Sequence, residues 1–121
     1  MYMKKQTEEK PEHIGLAKPE EITEMKTKNP RGVFQITVSN ERTGNVHYGY
    51  FKKPGRQQMD FASSEAAKGG KFSVDRFNSS LANNCWIGGD EAMRTDEDLF
   101  MSASTQFGEL AKVYQAEIKE L

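Results

Sequence analysis

The sequence predicts an α+β fold, with an N-terminal antiparallel β-hairpin followed by a small helical bundle that ends in a long C-terminal helix. Two segments, 33–39 and 46–51, alternate their side chains with the two-residue period of a half-buried strand. Later segments space their apolar residues by three or four, as helices do. A chain of 121 residues can bury one modest core, so we expect residues 18–121 to form a single domain.

Residues 1–17 are predicted to form a disordered polar tail. They hold lysine and glutamate in equal numbers and only scattered apolar residues, which cannot offset the entropy of ordering the chain. We therefore expect them to be dispensable for folding. A short helix should follow over residues 18–29, because Pro19 suits a first helical position and Glu20 and Glu21 suit the positive end of the helix dipole.

The hairpin has the clearest pattern in the chain. The polar segment 40–45 separates the two strands, and its Gly44 can adopt positive φ, so the strands should pair antiparallel. Each strand should present one predominantly apolar face, formed in the first strand by Phe34, Ile36 and Val38 and in the second by Val46, Tyr48 and Tyr50.

Two helices should follow the hairpin. The first, over residues 56–68, carries small and apolar residues at helical spacing and ends at a Gly-Gly pair. The second, capped by Ser73, should run its apolar stripe into Cys85 and Trp86 and end at a turn over residues 88–89. We expect Trp86 to be largely buried at this turn.

The last helix is predicted to be the longest. Thr95 and the acidic residues after it resemble a capping box, and from Phe100 to Leu121 the apolar residues step by three and four, close to a heptad repeat. Such a stripe is buried either within the domain or against a partner. We expect four of its residues to bind protein, either a second copy or a long helical partner: Phe107, Leu110, Tyr114 and Ile118.

Charge is distributed unevenly along the chain, whose net charge is -1. Residues 31–80 hold eight basic and four acidic side chains, a net charge of +4, whereas residues 81–121 hold three basic and eight acidic ones, a net charge of -5. This separation favours head-to-tail or charge-matched contact between proteins over the wrapping of a nucleic acid, which requires a dense basic face.

One basic segment nevertheless supports an alternative, a small nucleic-acid-binding module. Its cationic side chains follow the aromatic hairpin, whose tyrosine rings would stack against bases. A solvated basic flank beside an apolar hairpin is the commoner arrangement, so nucleic acid is not the expected partner. The alternative site would consist of Lys52, Lys53, Arg56, Tyr48 and Tyr50, with Lys68 and Lys71 nearby.

No group of residues in the sequence predicts catalysis, a metal site or a cofactor. His13 and His47 have no neighbouring ligand and are interpreted as surface histidines. The only cysteine, Cys85, cannot form an internal disulfide and is interpreted as a small core residue. The acidic residues at 90–98 lack the calcium-loop pattern. No apolar run reaches the length of a membrane span or a signal peptide, so we expect a cytoplasmic location.

Several segments also carry a family resemblance. They are the strand end Tyr-Phe-Lys-Lys-Pro at 50–54, the segment 81–91 with its Asn-Cys-Trp-Ile-Gly-Gly-Asp run, and the segments 99–103 and 116–121. In order and spacing these resemble the small tail assembly chaperone-type proteins of tailed phages and prophages, especially those of gut Bacteroides-like hosts. The resemblance spans residues 20–121. It implies a protein that coats the tape measure protein, with no enzyme activity and no cofactor, and it defines no binding residues.

We therefore expect a non-enzymatic, phage tail assembly chaperone-like protein that binds the tape measure protein or itself through its C-terminal helix and hairpin. A structural head or tail completion protein would share the same fold and compartment, and it stays open beside the nucleic-acid-binding alternative.

Overall fold

The structure is a computed structural model that describes residues 11–107 and 118–121. They form a four-stranded sheet with helices, which confirms the predicted α+β class. Among them no helix has the length and apolar character needed to span a membrane. In chain order the elements are β1 (His13–Ile14), α1 (Pro19–Lys28), β2 (Val33–Ser39), β3 (Val46–Lys52), α2 (Arg56–Ala67), α3 (Val74–Cys85), β4 (Trp86–Gly89), α4 (Ala92–Thr95) and α5 (Glu97–Phe107).

The central strand of the sheet is β3, which is paired on both sides. β2 runs antiparallel along its whole length, as the hairpin prediction required. The loop closes through the N–H of Gly44, which donates to the carbonyl of Asn40 over 2.7 Å at a φ of 80°. On the other side, β1 pairs in parallel with the start of β3 and β4 pairs antiparallel with its end. Two short strands thus share one edge of β3.

The prediction of a disordered tail over residues 1–17 is wrong for the part that the structure describes. β1 belongs to the sheet, and the N–H of Ala17 donates to the Tyr50 hydroxyl over 3.0 Å. The Nδ1 atom of His13 lies 2.7 Å from the Tyr48 hydroxyl oxygen, within hydrogen-bond distance. The prediction was based on the charged composition and the scattered apolar residues, whereas this segment is held by backbone and tyrosine hydroxyl hydrogen bonds. Residues 1–10 lie outside the described residues.

The segment after α3 forms a strand, whereas the sequence predicted a helix end and a turn. α3 ends at Cys85, and Trp86 begins β4. At Gly89 the φ is 117°, and a β-carbon there would overlap the carbonyl oxygen of Tyr48. Glycine therefore permits the close approach of β4 to β3. Trp86 is half-buried, less than predicted, with its ring edge-on to Phe51 at a centroid distance of 5.4 Å.

The register of the hairpin separates its side chains into two faces. Ile36 lies opposite Gly49 and Phe34 opposite Phe51, so these positions share the face that packs against the helices. Tyr48 and Tyr50 alternate with them and lie on the other face. The core between sheet and helices consists of Ile36, Phe51, Ala62, Leu81, Ala82, Cys85, Met93, Ala103 and Phe107.

The helix starts follow the local sequence closely. Ser73 caps α3 as predicted, accepting the N–H of Arg76 over 3.1 Å. At α5 the cap is Asp96, one residue later than the predicted Thr95, because its Oδ1 accepts the N–H of Leu99 over 3.1 Å. Thr95 instead closes the four-residue helix α4.

Candidate functional site

The residues predicted to bind protein do not form one exposed face. Phe107 is completely buried, and its ring centroid lies 4.9 Å from that of Phe51. It is a core residue, contrary to the prediction, because α5 turns this part of its stripe toward the sheet. Ile118 is fully exposed. Leu110 and Tyr114 lie outside the described residues.

A groove whose lining includes two phenylalanines is exposed on the helical layer. α3 packs between α2 and α5, and a groove crosses the outer side of these three helices. One side of the groove is lined by Phe61 and another by Phe100, and Phe61 is 51% exposed. The remaining lining residues, five of them on α3, are polar or charged: Glu65, Arg76, Ser79, Ser80, Asn83 and Asn84.

The sequence contained a signal for this groove. Phe61 lies outside the buried stripe of Ala62 and Ala66, so α2 places a large apolar side chain on its solvent side. Met101, beside Phe100 on α5, is also half exposed.

The alternative nucleic-acid site is divided by the fold. Tyr48 and Tyr50 are buried and their hydroxyls are engaged in hydrogen bonds, so neither ring is open to a base. The stacking part of that prediction is therefore wrong. Lys52 and Lys53 are half-buried and line a cavity at the end of β3, whereas Arg56 is exposed and does not line it.

His47 is mostly buried, although the sequence analysis placed it at the surface. Its Nδ1–H donates to the Asp90 carboxylate over 2.7 Å, and the two side chains are only 12% and 13% exposed. The second carboxylate oxygen accepts the N–H of Ala92 over 3.1 Å. Asp90 therefore joins the central strand to the start of α4.

An aspartate that orients an imidazole is an arrangement found in general-base catalysis. His47 also lines a cavity of about 450 Å³ that includes Ser102. Ser102 makes no hydrogen bond with His47, and within the described ranges no three His, Cys, Asp or Glu side chains are grouped to hold a metal ion. We interpret the His47–Asp90 pair as a structural tie between β3 and α4.

Cys85 lies in the core, as predicted. Burial raises the pKa of its thiol from 9.0 to about 11, and the nearby Lys52 ammonium acts in the opposite direction. The thiol is therefore protonated at neutral pH, which makes it a poor nucleophile.

Comparison of the chain with models of protein families, with curated protein sequences and with solved structures finds no match.

Proposed function

We propose that this chain is a non-enzymatic protein-binding domain that associates with further copies of itself as part of a larger assembly. The observation that supports the proposal is the groove lined by Phe61 and Phe100 on the outer side of the helical layer. Phe61 is 51% exposed, and Phe100 beside it is partly exposed although it packs against the core. Apolar side chains that meet at the surface of a small domain are typical of protein contact sites. The groove provides binding surface and no reactive group.

The occupant that fits this groove is the C-terminal segment of a second copy. Ile118 and Leu121 are fully exposed and would supply apolar side chains to Phe61 and Phe100. Ser79 and Ser80 are short, so a peptide backbone can approach α3 closely. Residues 31–80, which supply α2 and the first part of α3, carry a net charge of +4, and residues 81–121 carry -5.

A contact of this kind joins two different surfaces, so a pair of copies retains one free groove on one copy and one free C-terminal segment on the other. Such heterologous contacts extend into rings or filaments, which suits a protein of an assembly process.

Within this role, we propose phage tail assembly in the host cytoplasm as the setting, on the strength of the resemblance in segments 50–54 and 81–91. The tape measure protein would be the further partner, because a long helix with an apolar stripe can occupy the same groove. A head or tail completion protein is the alternative setting and would use the same surface.

Sedimentation equilibrium over a wide range of protein concentrations tests the proposal. The average mass should rise with concentration past that of a dimer, and Phe61→Ser should weaken the association at least about tenfold. Leu16→Ser is the matched control, because Leu16 and Phe61 are both 51% exposed but Leu16 precedes α1. A wild-type protein that stays monomeric would refute self-association. Equal weakening by the two substitutions would show that the groove is not the contact surface.

A further inference from the structure

The cavity at the end of β3 lies away from the helical groove. It is bounded by the end of α1, the turn that follows it, the end of β3 and the start of α2, and its volume is about 240 Å³. Of its nine lining residues within the described part of the chain, four are cationic and none is acidic. The lining consists of Lys28, Asn29, Pro30, Arg31, Gly32, Lys52, Lys53, Gly55 and Gln58.

The fold brings these cations together from separate parts of the chain. The turn after α1 is fixed to the end of β3, because the N–H of Lys53 donates to the carbonyl of Gly32 over 3.1 Å. Arg31 then reaches the start of α2, where its Nη1 donates to the Pro54 carbonyl over 3.3 Å. A β-carbon on Gly55 would lie only 3.1 Å from the same nitrogen, so the glycine leaves room for the guanidinium.

Among the residues that the structure describes, little negative charge balances the side chains of Lys28, Arg31 and Lys52. The carboxylate of Glu24 lies 3.5 Å from the Lys28 ammonium, but both side chains are about 70% exposed, so this ion pair is weak. Like charges held at one cavity repel each other, and a bound anion relieves that repulsion. The start of α2 adds positive potential at the cavity, because the N-terminal end of a helix dipole is positive. No acidic residue in the first turn of α2 offsets it.

We propose that this cavity binds the phosphate group of a small phosphorylated molecule. A phosphate carries close to two negative charges at neutral pH and accepts several hydrogen bonds, which suits an arginine flanked by lysines. The guanidinium of Arg31 would bind two phosphate oxygens, and the ammonium groups of Lys28 and Lys52 would neutralise the charge. A single phosphate fits better than a nucleic acid strand, because Tyr48 and Tyr50 are buried and offer no stacking surface beside the cavity.

Amide resonances measured by NMR during titration test this site. The probes are inorganic phosphate, adenosine 5′-monophosphate and a single-stranded oligonucleotide without a terminal phosphate. Each is compared with sodium chloride at equal ionic strength. Phosphate and the nucleotide should shift the amides of Gly32 and Gly55 saturably. Arg31→Gln should weaken this binding at least about tenfold, whereas Arg42→Gln, at an exposed arginine in the hairpin loop, should leave it unchanged.

Lys28→Gln provides a second variant, because Arg31 also bonds to the backbone and its replacement could alter the fold. The Lys28 side chain is 71% exposed, so Lys28→Gln should fold normally and bind phosphate more weakly. Shifts that sodium chloride reproduces, or that survive in both variants, would overturn the proposal. If the oligonucleotide binds the cavity more tightly than the nucleotide does, the ligand is a nucleic acid and the small-molecule proposal is wrong.

Discussion

Replacing Phe107 by alanine should destabilise the domain by about 3 to 5 kcal/mol. The side chain is completely buried and its ring packs on that of Phe51, with 4.9 Å between the centroids. Its neighbour in the stripe, Ala103, is too small to fill the space that the ring would leave. Domains of this size are stable by about 5 to 15 kcal/mol, so the variant should lose a large share of that margin and melt at least about 10 °C lower.

Urea denaturation followed by circular dichroism measures the change. Met101→Ala is the control on the same helix, because Met101 is half exposed and its replacement should change stability by about 0.5 kcal/mol or less. The sequence analysis assigned Phe107 to a binding face, and the two assignments give opposite results. If Phe107→Ala unfolds within about 1 kcal/mol of the wild type but no longer self-associates, Phe107 faces a partner and the core assignment is wrong.

Two substitutions and one reactivity measurement test other parts of the fold. Tyr50→Phe removes a hydroxyl that accepts from Ala17 and donates to Gln35 over 2.8 Å, and should cost about 1 to 3 kcal/mol in urea denaturation. Wild-type stability in this variant would show that the segment before α1 is not fixed by Tyr50. Gly89→Ala should destabilise by more than about 1 kcal/mol, because its β-carbon overlaps β3 at a φ of 117°, and an unchanged melting temperature would contradict this strand pairing. Cys85 should react slowly with Ellman's reagent at pH 8, and rapid reaction in the folded protein would contradict its burial. Because burial favours the neutral thiol, its contribution to the free energy of unfolding should be complete below pH 9.0 and should decline as the pH rises toward about 11.

The hairpin and the main helices could be predicted because their signals are local. Alternation along two strands and a glycine in the loop specify β2 and β3, and Ser73 marks the start of α3. β1 and β4 could not be predicted, since they contain two and four residues and exist only through pairing with a distant strand. A periodic pattern needs more residues than either strand has.

The candidate sites were predictable only in part, for a related reason. An apolar stripe on a helix shows that one face of the helix is covered, but it does not show what covers it. Phe107 was therefore predicted to contact a partner, whereas the sheet of the same chain buries it. Lys52 and Lys53 were predicted only as part of the alternative nucleic-acid site. Lys28 and Arg31 join them only after the turn following α1 docks against β3, which the sequence does not reveal.

The most direct test of the central claim is an isotope-filtered NMR experiment on a mixture of ¹³C-labelled and unlabelled protein. In such a mixture, nuclear Overhauser effects between the two kinds of chain report contacts between copies. The account predicts such effects from the methyl groups of Ile118 and Leu121 to the aromatic rings of Phe61 and Phe100, and their loss in Phe61→Ser. The absence of these effects at concentrations where the protein is oligomeric would contradict the head-to-tail contact.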